Sequence, residues 1–112
     1  MRKRVFFLTT LKEGKSPEEY ERFIREVDYP LTARLLPVSH YEVARVEGRV
    51  VGDGAALYQY IDVIDVEDID RYREALASPT AELRNLLDQV ESWIASAEDL
   101  FGSSLSAADV QL

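Results

Sequence analysis

The clearest pattern along the chain is an alternation of polar and apolar residues with a period of two, which is typical of β-strands. It runs through residues 38–46 and, most regularly, through residues 57–65. Residues 4–10 are mainly β-branched and aromatic, which also favours a strand. A fourth strand is predicted near residues 97–105, where the pattern is weaker. Together the four segments predict one antiparallel sheet.

Between the strands, apolar residues repeat at helical spacing instead. Ser16, Pro17 and Glu19 are typical of a helix start, because Ser caps the first turn, Pro fits it and Glu occupies the capping-box position. The apolar stripe that follows consists of Tyr20, Phe23, Ile24 and Val27. Pro30 lacks an amide donor and disfavours helical geometry at Tyr29, so it should end or bend this helix.

A second short turn over residues 31–36, a helix over residues 67–77 and another from about Thr80 complete the pattern. The resulting order is β-α-β-β-α-β, the ferredoxin-like arrangement of the α+β class, in which helices cover one face of four antiparallel strands. At 112 residues the chain has the size of one such domain. We therefore expect a single domain over residues 1–112, in which the weakly patterned tail of about residues 103–112 forms an arm or is disordered.

Helices on one face leave the other face of the sheet to be explained. The period of two in the third strand groups Tyr58, Tyr60 and Ile64, and we expect this set, with the aromatic first strand, to be uncovered. An exposed apolar face of that kind usually marks an interface or a ligand groove. Two such sheets stacked face to face would bury it at about 25 cal/mol per Å² of apolar area. We therefore expect a homodimer.

Charge and composition narrow the range of partners. The 13 Lys and Arg residues and 21 Asp and Glu residues give a net charge of -8, and such an acidic surface repels nucleic acids and anionic membranes. The absence of Cys excludes disulfides, thiolate metal sites and a Cys nucleophile. No apolar run approaches the roughly 20 residues of a membrane span, and residues 5–8 are too short for a signal-peptide core. We therefore expect a cytoplasmic protein that binds neither nucleic acid nor membranes.

Candidate chemistry is limited, because the chain lacks a phosphate-binding loop, a dinucleotide fingerprint and a nucleophile elbow. With one His and no Cys, neither a metal nor a cofactor is predicted. His40 is the side chain whose ordinary pKa lies near neutrality. On the second strand it would face polar groups of the third, namely Tyr58, Tyr60 and Asp62. That arrangement suits general acid–base catalysis; the alternative is a structural histidine at a strand end.

Asp28 and Tyr29 form the second candidate. An Asp at the end of a helix lies beside the negative end of the helix dipole, so Asp28 has either a catalytic task or the task of capping the following turn. The strand tyrosines either pack in the core or an interface, or orient a substrate through their hydroxyl groups. The predicted groove lies between the sheet and the first helix and is lined by Phe7, Tyr41, Tyr58 and Tyr60.

Two segments of the chain carry motifs of a known protein family: REVDYPLTARLLPVSHYEVARVEG at residues 25–48 and YQYIDVIDVEDIDRY at residues 58–72. The opening FFLTTLKEGKSPEEYERFIRE, residues 6–26, fits the same pattern. On these motifs the chain resembles the RedY-like, or HapK-like, family of prodigiosin-type and related aromatic natural-product pathways. The resemblance implies a dimeric α/β barrel, in which two ferredoxin-like subunits close their sheets together. The family often has Glu where this chain has Asp62.

The resemblance and the residues together predict a cofactor-independent step of aromatic secondary metabolism. The expected reaction is a non-redox cyclisation, isomerisation, hydrolysis or elimination on an indole-, pyrrole- or polyketide-type intermediate. His40 would act as base or acid, with Asp28 as its partner carboxylate. Tyr29 or Tyr60 would donate a hydrogen bond to a developing oxyanion. The substrate-binding residues would be Phe7, Tyr41, Tyr58 and Asp62. Three alternatives stay open: a cofactorless monooxygenase, a protein that binds and shields a reactive intermediate, and a haem-binding protein.

Overall fold

The computed structural model describes residues 2–105, in which helices pack on one face of a four-stranded sheet. Along the chain the elements are β1 (Lys3–Leu11), α1 (Pro17–Phe23), a π-helical turn (Ile24–Asp28), α2 (Tyr29–Leu35), β2 (His40–Arg45), β3 (Tyr60–Val66), α3 (Ile69–Ala77), α4 (Ala81–Glu91) and β4 (Ile94–Ser103). The strand order is β2-β3-β1-β4, and every neighbouring pair is antiparallel. The predicted α+β, ferredoxin-like fold is confirmed.

The element boundaries differ from the predicted ones mainly around β3 and β4. β3 begins at Tyr60 rather than at residue 57, which leaves Tyr58 outside the strand. α4 ends at Glu91, and β4 begins at Ile94 rather than near residue 97. Most of the predicted C-terminal arm, residues 106–112, lies outside the described residues. Within the part of the chain that the structure describes, every helix is too short or too polar to cross a membrane.

The helical path from α1 to α2 is continuous, although Pro30 predicted an end or a bend. Ser16 caps α1, and its Oγ accepts a hydrogen bond from the Glu19 amide at 3.3 Å. At Tyr29 the backbone is helical, with φ -57° and ψ -52°, so the prediction of non-helical geometry there is wrong. The Tyr29 amide donates to the carbonyl of Ile24, five residues back. This wider turn accommodates the proline, which has no amide of its own to donate.

The π turn also affects which side chains face the sheet. From α1 to the end of α2, buried residues recur at intervals of four: Tyr20, Ile24, Asp28, Thr32 and Leu36. In a regular α-helix each such step would rotate the side chain by about 40°, because four residues exceed a turn of about 3.6. The extra residue in the π turn offsets part of this drift. Asp28 is thereby directed towards the sheet and is only 6% exposed.

The helices cover the face of the sheet that the sequence pattern predicts to be bare. Tyr60 and Ile64 point towards the helices and are 2% and 3% exposed, so the prediction that they lie on an uncovered face is wrong. Ile64 packs in one core with Leu83 and Leu86 of α4. Both faces of β1 and β3 are rich in apolar residues, so alternation separates two sets of side chains without showing which set meets the helices.

The opposite face of the sheet has no helix on it among the described residues. It carries a group of apolar side chains that we call the outer patch, consisting of Phe6, Leu8, Ile61, Val63 and Leu100. Phe6 pairs with Val63 on one side and with Leu100 on the other, so the patch crosses three strands. Leu100 is 52% exposed. One sheet face is therefore bare as predicted, but it is formed by the other set of side chains.

Candidate functional site

A cavity of about 260 Å³ lies between the covered face of the sheet and the helices. Aliphatic side chains from β3, α3, α4 and β4, and from Leu36 just after α2, form much of its wall. The aromatic rings in the wall are Phe7, Tyr20, Tyr41 and Tyr72. Polar side chains reach it from two strands and the first helical region, namely Thr9, Asp28, Thr32 and Asp62, and from the exposed Glu91 at the end of α4. A largely apolar pocket with a few convergent polar groups is the usual composition of a small-molecule site.

Tyr41 joins two buried carboxylates at this cavity. Its hydroxyl oxygen lies 2.7 Å from Asp28 Oδ2 and 3.3 Å from Asp62 Oδ2. The Thr32 hydroxyl donates to the other oxygen of Asp28 at 2.8 Å. Asp28 comes from the π turn and Asp62 from the middle of β3. The helical layer and the sheet therefore contribute one carboxylate each.

Asp62 is the carboxylate that is best placed to exchange a proton near neutral pH. It is 9% exposed, and burial, followed by the nearby charge of Asp28, raises its pKa to about 7. Its Oδ1 has no hydrogen-bond partner among residues 2–105. Buried polar atoms are nearly always hydrogen-bonded, so an unpartnered one requires an explanation. A proton or a ligand in the cavity would provide the missing partner.

Burial shifts Asp28 and the phenols of the cavity towards their protonated forms. Burial raises the pKa of Asp28, against the opposing effect of the hydrogen bonds from Tyr41 and Thr32. The pKa of the Tyr41 phenol is also raised, first by burial and then by the two carboxylates. Burial raises the pKa of Tyr20 and Tyr72 as well. These phenols therefore remain neutral hydrogen-bond donors at physiological pH.

Asp62, Tyr41 and Asp28 form a path along which one proton can be shared. When Asp62 is ionised, the Tyr41 hydroxyl donates to one carboxylate at a time, and the shorter distance favours Asp28. When Asp62 is protonated, its own O–H can donate to Tyr41 while Tyr41 donates to Asp28. Two carboxylates at close range resist carrying two negative charges. The arrangement suits a group that takes a proton from the cavity and returns it.

His40 does not lie beside this cavity. It pairs with Asp65 across β2 and β3 on the outer face, whereas Asp62 and Tyr60 point inwards. Its side chain is 59% exposed, and its Nε2 is 3.8 Å from Glu42 Oε2. The predicted contact of His40 with the inward polar residues of β3 is therefore wrong, because the register of β2 against β3 places His40 opposite Asp65, on the other face of the sheet.

Tyr29 and Tyr60 pack behind the aromatic wall of the cavity, and their hydroxyl groups bond elsewhere. The Tyr29 hydroxyl oxygen accepts a hydrogen bond from the Val43 amide at 2.9 Å, which satisfies a donor on the edge strand β2. The Tyr60 hydroxyl donates to Glu21 at 2.8 Å. Glu21 also pairs with Arg45 at 2.6 Å. Both phenols thus have local partners outside the cavity.

Four of the eight residues predicted for the site line the cavity together: Phe7, Asp28, Tyr41 and Asp62. Tyr58 does not join them. It precedes β3, and its hydroxyl donates to Glu98, which lies on the outer face opposite Leu8. The sequence prediction therefore named both buried carboxylates that line the cavity, but it combined them with a histidine that lies on the other face of the sheet.

Sequence reasoning did not identify Thr9 and Thr32 as site residues. Thr9 lies two positions after Phe7 on β1, and side chains at that spacing share a face of the sheet. Thr32 lies four positions after Asp28, a spacing that keeps two side chains on one face of a helix. Both spacings are present in the sequence, next to two residues that are themselves predicted for the site.

The fold and the cavity together define a class of protein, a ferredoxin-like α+β domain that encloses a carboxylate-lined pocket between its sheet and its helices. The chain belongs to the HapK family, because the family model described as REDY-like protein HapK matches residues 3–105. Among curated proteins, none matches the chain.

Several solved structures share this fold. HapK from Hahella chejuensis is 20% identical with a TM-score of 0.73, and the match covers 92% of each chain. The Arabidopsis thaliana protein At3g17210 is 18% identical with a TM-score of 0.73, over 98% of this chain and 99% of that one. A dimeric ferredoxin-like protein of unknown function from Thermobifida fusca is 19% identical with a TM-score of 0.66, over 93% of this chain and 92% of that one. At these identities the similarity establishes the fold.

Proposed function

We propose that this chain is a cofactor-independent enzyme of aromatic secondary metabolism that moves protons on a small aromatic substrate. The reaction would be a non-redox cyclisation, isomerisation, hydrolysis or elimination. The observation that carries the proposal is the unpartnered oxygen of Asp62 in the wall of a largely apolar cavity. Membership of the HapK family fits a role in small-molecule biosynthesis.

The size of the cavity supports a substrate with one or two rings. An engineered apolar cavity of about 150 Å³ is known to hold benzene. The cavity here, at about 260 Å³, has room for a fused bicyclic compound. The rings of Phe7, Tyr20, Tyr41 and Tyr72 provide aromatic surface against which such a molecule can pack.

In the proposed reaction Asp62 is the base. Its ionised Oδ1 takes a proton from the substrate, and the electron pair of the broken bond passes into the conjugated system of the substrate. The Tyr41 hydroxyl lies beside the other oxygen of this carboxylate and orients it. A pKa of about 7 suits a base that works at neutral pH. Return of the proton to another atom completes an isomerisation, and departure of a leaving group completes an elimination.

We also propose that the protein is a homodimer in which two copies meet through the outer patch. The patch is apolar and has no helix on it among the described residues, which is typical of an interface. The related structure from Thermobifida fusca is described as dimeric. Because the outer patch and the cavity lie on opposite faces of the sheet, such a dimer would hold two separate cavities.

The base-catalysed ring opening of 5-nitrobenzisoxazole tests the proposed chemistry. A base removes the proton from carbon, the electron pair forms the nitrile, and the N–O bond breaks to give a coloured phenolate. We expect kcat/KM to rise about tenfold per pH unit below pH 7 and to level off above it, because only ionised Asp62 is active. Absorbance measured from pH 5 to pH 9 gives this profile. Binding of the compound without any ring opening would contradict the proposal and would favour a protein that shields an intermediate.

The role of His40 can be tested in the same assay. The sequence-based hypothesis predicts that loss of His40 lowers the rate about 100-fold. The geometry leads us to expect a His40→Gln variant within about twofold of the unchanged protein, because the imidazole is exposed on the outer face. A loss of 100-fold in a folded variant would restore His40 to the mechanism and would remove the cavity from it.

A further inference from the structure

Two buried polar atoms face the cavity without a hydrogen-bond partner among residues 2–105. They are Asp62 Oδ1 and the hydroxyl oxygen of Thr9. Thr9 is 4% exposed, so bulk water does not reach its side chain freely. Each unpartnered buried group of this kind costs stability unless something in the cavity bonds to it. The Thr9 hydroxyl lies near the Tyr20 phenol, whose pKa it lowers against the larger effect of burial, and both side chains line the cavity. The proposed function uses Asp62 and assigns no task to Thr9.

Thr9 and Asp62 are close neighbours on the covered face of the sheet. Phe7 of β1 lies opposite Asp62 of β3, and Thr9 lies opposite Tyr60. Thr9 and Asp62 are therefore diagonal neighbours on adjacent strands, a relation that keeps side chains within reach of one another and of a shared ligand. One ligand group between β1 and β3 can contact both.

The two atoms need different hydrogen-bond partners. An ionised carboxylate oxygen accepts hydrogen bonds and cannot donate one, so Asp62 needs an N–H or O–H group. A threonine hydroxyl can donate, so Thr9 can bond to a carbonyl oxygen. We propose that Thr9 is a substrate-binding residue and that the cavity selects aromatic molecules in which an N–H or O–H group stands next to a carbonyl group. This inference rests on the proposed function and specifies its substrate class.

The pairing also fits the proposed chemistry. When Asp62 takes the proton from the N–H or O–H group, the electron pair of that bond is delocalised onto the neighbouring carbonyl oxygen. The Thr9 hydroxyl donates to this oxygen, where negative charge develops, and so stabilises the deprotonated substrate. Reprotonation at another atom gives a tautomer of the substrate, and no oxidant or other reactant is required.

Three bicyclic compounds of similar shape test the inference by calorimetric titration at pH 8. Indene has no hydrogen-bonding group, indole has an N–H donor, and oxindole has an N–H donor next to a carbonyl. In the unchanged protein we expect indole to bind about tenfold more tightly than indene, and oxindole about three- to tenfold more tightly than indole. The Thr9→Val variant keeps the shape of the side chain and removes its hydroxyl. In this variant we expect oxindole to bind no more tightly than indole, while indene is unaffected.

Two further variants serve as controls. Thr9→Ser keeps the hydroxyl and should keep the preference for oxindole. Thr10→Val removes a hydroxyl that bonds to Ser96 on the other face, and it should change none of the three affinities. Equal weakening of all three compounds in Thr9→Val, or equal binding of oxindole and indole in the unchanged protein, would overturn the inference while leaving the proposed function intact. If none of the three compounds binds, the proposed function itself fails.

Discussion

An Asp62→Asn variant should lose proton transfer and, above neutral pH, should fold more stably than the unchanged protein. Asn has the size of Asp but cannot accept a proton as a base. We expect the rate of 5-nitrobenzisoxazole ring opening at pH 8 to fall by about 100-fold or more, which is the usual contribution of a general base. Tyr41 and Asp28 remain in place in this variant, so the loss would belong to the Asp62 carboxylate.

The effect on stability follows from the raised pKa. The ordinary value for this carboxyl is 3.8, and in the folded chain it is about 7. Between these two values the folded state binds more protons than the unfolded state, so the stability of the unchanged protein falls as the pH rises. At about 1.36 kcal/mol per pH unit the full difference corresponds to about 4 kcal/mol. Asn does not ionise, so the stability of the variant does not fall with rising pH in this way.

Urea unfolding at pH 4.5 and at pH 8 measures the effect. From pH 4.5 to pH 8, we expect the free energy of unfolding of the variant to rise by about 2–4 kcal/mol relative to that of the unchanged protein. Asp99→Asn is the matched control, because Asp99 lies opposite Phe7 on β4 but is exposed and outside the cavity wall. A stability difference that is the same at both pH values, or full activity in Asp62→Asn, would contradict the assignment. Higher stability with lower activity is the usual signature of a strained functional group.

A Val63→Lys variant should prevent association of the proposed dimer. Val63 lies near the centre of the outer patch, paired with Phe6 on one side and Glu42 on the other. In a stacked pair of sheets the new ammonium group would be buried without a partner, which costs about 3–5 kcal/mol. The dissociation constant should therefore rise by about 100-fold or more.

Sedimentation velocity over a range of protein concentrations measures this change. Val50→Lys is the control, because Val50 is fully exposed in the loop between β2 and β3 and lies outside the outer patch. A Val63→Lys variant that remains dimeric would show that the copies meet elsewhere, and a monomeric unchanged protein would rule out the dimer. The cavity wall comes from one chain, so monomeric Val63→Lys should keep its ring-opening rate per chain.

Local sequence features were enough to predict the order of the elements. The Ser16 cap and the strand alternation depend on neighbouring residues, and both are present in the structure. The geometry at Pro30 could not be predicted from local sequence features alone. A proline has no backbone N–H to donate a hydrogen bond, and a chain can accommodate this either by breaking the helix or by widening one turn. In the structure the turn before Pro30 widens, and Asp28 and Thr32 on either side of the proline are both buried.

The candidate site was predictable only in part, because a period of two cannot tell the covered face of a sheet from the bare one. The sequence determined that Asp62 shares a face of its strand with Tyr60, and that His40 shares a face of its strand with Glu42. The register between β2 and β3 then placed these two pairs on opposite faces of the sheet. The packing of the helices decided which of these faces encloses a cavity. That choice depends on the shapes of two layers that meet only in the folded chain. It joined Asp62 to Asp28 through Tyr41, and it left His40 in contact with solvent.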